Sequence, residues 1–407
     1  MHLRRLPLLI CAVSALFVAS TLPANSATIA GTKCTKVNST KTISNIKYTC
    51  VKSGKVLIWN KGVAVKSKIA NSPTPTQTSL PTPTTSQTAE PIPVAMPSES
   101  LSPFIKSPTS FTDLVENYLG ISSVVWNEAQ KLHTSGLSRN NFLIEQGIST
   151  KLPLGAEEPI KYLSKASQLW SNFNQPSTTK VFIYNFADLS WAMDKNRSLG
   201  GSNFTPQDLS NNCGSVTDCN SFGGAFNGIG QLFIGVSQDP YTSTNSGFKR
   251  ANFAHEYTHT VQSTLLGAPA NLKLPCWFAE GQPQVVGQSL GFETLADYQK
   301  SRESWFRQSA GALGDYSPDS ILKFYTLTGS DIGGTCSQPV RPRVYDVGYM
   351  TVEALASIKG IQSTMEVVAK VGQGMSFSQS FKSVYGAAWV DVSKILAKVV
   401  SLEFSNK

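Results

Sequence analysis

The chain has 407 residues, 41% of them hydrophobic and 10% aromatic, with a formal net charge of +9. That composition excludes a wholly disordered chain and allows two or three folded units at most. Of the 35 basic and 26 acidic residues, 11 and 2 respectively precede residue 101; the remainder is balanced at 24 of each, which argues against a nucleic-acid partner for the larger part.

In chain order, Met1 to Arg5 carry positive charge, Leu6 to Leu22 are apolar, and Pro23-Ala24-Asn25-Ser26-Ala27 are small. This order predicts a secretory signal peptide over residues 1–27 and a secreted or surface-associated product. The alternative is an uncleaved membrane anchor, for which the apolar run is at the short end of the ~17–25 residues required. Cleavage near Ala27 removes Cys11 and leaves six cysteines, for which neighbour pairing predicts Cys34–Cys50, Cys213–Cys219 and Cys276–Cys336 in an oxidising compartment.

Residues 28–65 alternate short β-rich runs (Thr42 to Ser44, Lys47 to Val51, Val56 to Trp59) with turn residues, which predicts a small basic β module. A unit of this size builds little core, so a Cys34–Cys50 bridge is physically sensible. The module resembles small lysine-rich modules behind the signal peptides of exported actinobacterial proteins. That resemblance implies surface association, with an anionic cell-surface polymer as partner of residues 28–68; the alternative is a solvated basic spacer. Residues 66–103 are rich in Pro, Ser and Thr and read as an extended linker.

Residues 104–407 predict an α+β domain. Helices are expected near 111–131, 157–172, 247–266, 277–290, 294–308, 344–358, 361–371 and 388–404, and strands at 180–184 and 224–236, giving a small sheet followed by a mainly helical C-terminal part. The Gly228-Ile229-Gly230 spacing is not a phosphate loop, because it lies in an apolar run with no following lysine.

The string carrying chemistry is Ala254-His255-Glu256-Tyr257-Thr258-His259. Two histidines four apart on a helix project from one face, where both imidazoles reach one zinc ion. Glu256, their neighbour, is then placed as general base toward a zinc-acidified water. Asn245 or Ser246 suits the start of this helix and Gly267 its end, while Ala254, Val261 and Leu265 form its apolar stripe. A third ligand is required. His133 is one candidate, at the end of a predicted helix. The metzincin branch is excluded, because Gln262 and Leu265 stand where it needs Gly and His.

Downstream comes Pro275-Cys276-Trp277-Phe278-Ala279-Glu280-Gly281. His-Glu-x-x-His followed about twenty residues later by Trp-Phe-Ala-Glu-Gly resembles the gluzincin superfamily of zinc peptidases. The resemblance implies a zincin-like catalytic domain acting on a peptide or protein, with His255, His259 and Glu280 as zinc ligands and Glu256 as general base. Many gluzincins carry an acid four residues after the ligand glutamate to orient a histidine; here the residue is Gln284. Pro283 falls inside the expected second helix, which predicts a kink there or a start just before Glu280. The segment Tyr345-Asp346-Val347-Gly348-Tyr349 resembles the Tyr-x-x-Gly segment of related peptidases, which implies Tyr345 or Tyr349 as donor to the oxyanion; otherwise both are core aromatics. The strand at 224–236 precedes the metal helix where gluzincins carry a substrate-pairing edge strand. Two further readings stand beside the peptidase: a surface-binding protein whose zincin domain is a non-catalytic scaffold, and a zinc hydrolase of a non-peptide bond.

Overall fold

The computed structural model describes residues 32–43, 46–54, 56–60, 63–64, 105–138, 140–152, 155, 157–237, 246–308, 315–329 and 341–405. The expected signal peptide and the expected linker lie outside them. The chain falls into two compact units, residues 1–92 and 93–407.

In the first unit, β1 (Thr40–Ile43), β2 (Ile46–Ser53), β3 (Val56–Trp59) and β4 (Val63–Ala64) form a four-stranded sheet in which β2 pairs antiparallel with each of the others. Tyr48 and Cys50 are its buried side chains, and Cys50 is bridged to Cys34. Lys33, Lys36, Lys41, Lys47 and Lys52 are exposed.

The second unit is α+β. Its first part alternates helices and strands: α1 (Ile121–Ser135), β5 (Asn141–Gln146), α2 (Glu157–Leu169), β6 (Thr178–Tyr184), α3 (Leu189–Ser198), α4 (Pro206–Asn211), a small ribbon of β7 (Cys213–Ser215) and β8 (Asp218–Cys219), then β9 (Phe222–Phe226) and β10 (Ile229–Gly235). The sheet order is β5-β6-β10-β9, with β5, β6 and β10 parallel and β9 antiparallel at one edge. The remaining described elements are helical: α5 (Ser246–Leu266), α6 (Cys276–Gly291), α7 (Leu295–Gln308), α8 (Pro318–Leu327), α9 (Arg341–Lys359), α10 (Ile361–Gly372), α11 (Phe377–Tyr385) and α12 (Trp389–Ser405).

Alternation on the two central strands divides the interior. Val181, Ile183, Leu232 and Ile234 face the main core with the helices, while Phe182, Tyr184 and Phe233 face a smaller core holding Phe204, Leu209 and the Cys213–Cys219 bridge. Burial on both faces is why these strands read as continuous apolar runs. α6 is enclosed on every side: among its residues only Glu280 escapes full burial. It packs between α5 and α9, and Gly281 and Gly348 make that approach possible. A Cβ on Gly281 would lie 2.3 Å from the carbonyl oxygen of Gly348, and one on Gly348 would lie 2.5 Å from that of Trp277. The glycines of the Glu-Gly and Tyr-x-x-Gly segments therefore serve one contact, in which two helix backbones touch.

Several expectations are corrected. The region expected as a strand over 224–236 is a hairpin: Asn227 and Gly228 both have positive φ, 51° and 77°, the conformation that a two-residue type I′ turn requires. α1 begins at Ile121 rather than near 111, because residues 111–117 form turns, with Asp113 accepting from the backbone N–H groups of Thr109 and Ser110. α6 is continuous from Cys276, so Pro283 neither delays nor ends it. Helices α3, α4, α8 and α11 and strand β5 were not expected from the pattern. Cys276 is disulfide-bonded, but Cys336 lies outside the described residues.

Candidate metal centre

Helix α5 sets the site. Ala254, Tyr257 and Val261 are fully buried and anchor it to the core, while Trp170, just after α2, donates its indole N–H to Thr258 at 3.1 Å. Gly267 ends the helix with φ 64° and donates its N–H to the carbonyl of Ser263, as a glycine C-terminal cap does. His255 and His259 thus stand one turn apart on a fixed face, with ring centroids 5.0 Å apart.

Helix α6 brings Glu280 to them. Its Oε2 lies 3.6 Å from Nε2 of His255 and 3.3 Å from Nε2 of His259. One ligand-type atom from each of the three residues lies within 4.8 Å of the other two, and this is the only such cluster found among the described residues. Two imidazole nitrogens and a carboxylate oxygen at this separation are a donor set that fits a zinc ion and leaves a coordination position for a substrate or water. His133 is outside the cluster. It sits near the end of α1 beside Gln130, whose Oε1 is 3.0 Å from its Nε2.

Each histidine is turned toward the cluster by a carboxamide. His255 Nδ1 is 3.1 Å from Oε1 of Gln284, and His259 Nδ1 is 2.9 Å from Oε1 of Gln262. An amide oxygen only accepts, so Nδ1 carries a proton, and once the imidazole is neutral its Nε2 has a lone pair toward the metal position. Gln284 thus occupies the place where the resemblance leads one to expect an acid, and makes the orienting bond without the charge.

The second amide is held through the proline. Pro283 has no N–H for the carbonyl of Ala279, one turn earlier in α6, and Gln262 donates to that carbonyl at 3.1 Å instead. The same Nε2 reaches Oε1 of Gln282 at 2.8 Å, and Gln282 donates to Thr364 of α10 at 2.7 Å. The residue that looked like a helix breaker opens an acceptor that fixes which way Gln262 faces. The spacing from His259 to Gln262 was visible in the sequence; the partner that orients the amide was not.

Burial, acting alone, would depress His259, but the Glu280 carboxylate outweighs it and raises the imidazole to about 9 in the metal-free chain. Burial conversely acts to raise Glu280, and the two histidines overcome it, holding the carboxyl well below the ordinary carboxylate range. Glu256 is pushed upward by burial, with His255 and His259 pulling the other way.

These groups line a cleft. One part, about 370 Å³, is bordered by His255, Glu256, His259, Glu280, Gly223 and Tyr345. β9 roofs it closely: a Cβ on Gly223 would lie 2.0 Å from the carbonyl oxygen of Glu256, so only glycine lets the edge strand sit on the helix here. The two tyrosines separate. Tyr345 borders the cleft, its ring 6.4 Å from that of His255. Tyr349 is fully buried and does not line the cleft; Glu353 and Arg302 act on it electrostatically. No protein-family model, curated protein or solved structure matches the chain.

Proposed function

We propose that the protein is an exported zinc-dependent peptidase with a zincin-like catalytic domain. The observation that carries this reading is the convergence of His255, His259 and Glu280 in a cleft that also holds the buried carboxyl of Glu256. Zinc, when bound, supplies Lewis acidity toward a carbonyl oxygen and acidifies a water. Glu256 takes the proton from the attacking water and returns it to the leaving amine; its upward-shifted carboxyl is suited to hold that proton between the two transfers. Tyr345 offers its hydroxyl to the oxyanion that develops on the carbonyl. An extended peptide lies along the edge strand β9, whose position above α5 presents the scissile bond to Glu256.

The disulfides Cys34–Cys50 and Cys213–Cys219 are compatible with an oxidising extracellular compartment, and no described helix is long and apolar enough to cross a membrane. We assign the exposed lysines of the N-terminal unit to contact with an anionic surface polymer. The test is zinc content and peptide cleavage in the full chain and in Glu256→Gln. The reading expects about one zinc in both proteins and a loss of at least 100-fold in kcat in the variant. Equal kcat in both proteins removes Glu256 as the base.

A further inference from the structure

Beside the metal cluster, the cleft continues into a second cavity of about 430 Å³, which shares His255, Glu256 and Tyr345 with the first. Two glutamines one turn apart on α6, Gln284 and Gln288, line it, and they are 5% and 3% exposed. Gln284 has its Oε1 engaged by His255, yet its Nε2 is buried without a hydrogen-bond partner; Oε1 of Gln288 is likewise buried without one. An unmet donor and an unmet acceptor on one face of a helix are costly to keep, and such pairs mark places where a ligand completes the bonding. Around them the lining mixes polar side chains, among them Asn220 and Asn252, with the apolar Phe222, Phe248 and Ala251, and apart from His255 and Glu256 it holds no carboxylate, imidazole, lysine or arginine.

We propose that this cavity is a side-chain subsite selecting a primary carboxamide, so that the protein cleaves beside glutamine or asparagine. This rests on the peptidase reading above. A carboxamide matches both unmet atoms at once: its carbonyl accepts from Nε2 of Gln284 and its amino group donates to Oε1 of Gln288. A carboxylate meets the first but faces Oε1 of Gln288 and the nearby Glu256. An ammonium meets the second but points its charge at a donor. A thioether of glutamine's length fills the space and leaves both polar atoms unpaired. Gln284 then has two duties, since the amide that orients His255 also reads the substrate, and the metal and specificity sites share one residue.

The test uses the zinc-loaded full chain and Gln288→Leu, with peptides matched except for Gln, Glu or Met at the positions flanking the cleaved bond. The wild type should favour Gln over Met and over Glu by about 10–100-fold in kcat/KM at one of those positions. Gln288→Leu should bring the Gln-to-Met ratio to about one or below while still cleaving the Met peptide. The ratio is internal to each protein, so a partly folded variant does not disturb it. Equal cleavage of all three peptides by the wild type, or an unchanged ratio in the variant, overturns the subsite and leaves the peptidase standing. If no peptide is cleaved by the wild type, the peptidase reading falls, and the subsite is judged by saturation-transfer NMR with N-acetylglutamine methylamide and N-acetylmethionine methylamide. A signal for the glutamine compound alone, lost in Gln288→Leu, upholds the pocket's chemistry; equal or absent signals refute it.

Discussion

At the level of single residues, the metal-free cluster is an ion pair waiting to be exchanged. Glu280 is ionised throughout the physiological range and holds the proton on His259, whose pKa is raised to about 9. Zinc needs that imidazole neutral, so its binding must displace the proton. Below pH 9 the apparent zinc affinity should fall by roughly tenfold per pH unit, and at pH 7 about one proton should leave per zinc bound. Titration calorimetry in two buffers of different ionisation enthalpy reads that number directly; identical heats in both buffers would contradict it. His255, Glu256 and His259 were legible as candidates because a four-residue spacing on a helix needs no tertiary information, whereas Glu280 was named only through the family resemblance. Gln262 and Gln284 were visible only as departures from a pattern. Their roles depend on where α6 lies against α5, which spacing along one helix does not report.

Among the elements, α6 decides how well the site is held. A proline inside a helix removes a backbone donor, and here the freed Ala279 carbonyl is taken by the amide that orients His259. Pro283→Ala restores an N–H one turn away and lets the helix reclaim that carbonyl. The variant should therefore be more stable by up to about 3 kcal/mol and yet release zinc about tenfold faster to a chelator. A stabilised variant with an unchanged zinc off-rate would show that the proline acts on the helix alone. The sequence pattern recovers α5 and α6 closely because both are long and bounded by clear signals: glycine after α5, and for α6 the Trp-Phe-Ala-Glu-Gly run that places Glu280. It misses the hairpin of β9 and β10 because apolar residues on both sides of Asn227-Gly228 hide a turn that the dipeptide itself signals. The short helices α3 and α4, of 10 and 6 residues, escape because they fall short of the roughly 11–18-residue window over which helical periodicity is read, and strand β5 because its apolar Phe142, Leu143 and Ile144 are consecutive and not alternating.

Over the whole molecule, charge and chemistry are divided between the two units. The excess of positive charge falls in the N-terminal part, whose small disulfide-bridged sheet carries exposed lysines, while the cluster of His255, His259 and Glu280 lies in a unit whose sequence carries balanced charge. The separation was readable from composition alone, because it depends on where the lysines fall and not on how the chain folds. Binding to a surface and hydrolysis should consequently be separable, with high salt weakening the first far more than the second. The larger unit gathers its site from one edge strand and the helices α5, α6 and α9, so every part of the proposed mechanism depends on a metal at one point. X-ray absorption at the zinc edge of the loaded full chain tests that most directly. The account predicts stoichiometric zinc with only nitrogen and oxygen neighbours at about 2.0–2.2 Å, including two imidazoles, and loss of that spectrum in His259→Ala. Sulfur neighbours, a shell without imidazole, or no stoichiometric zinc would contradict it.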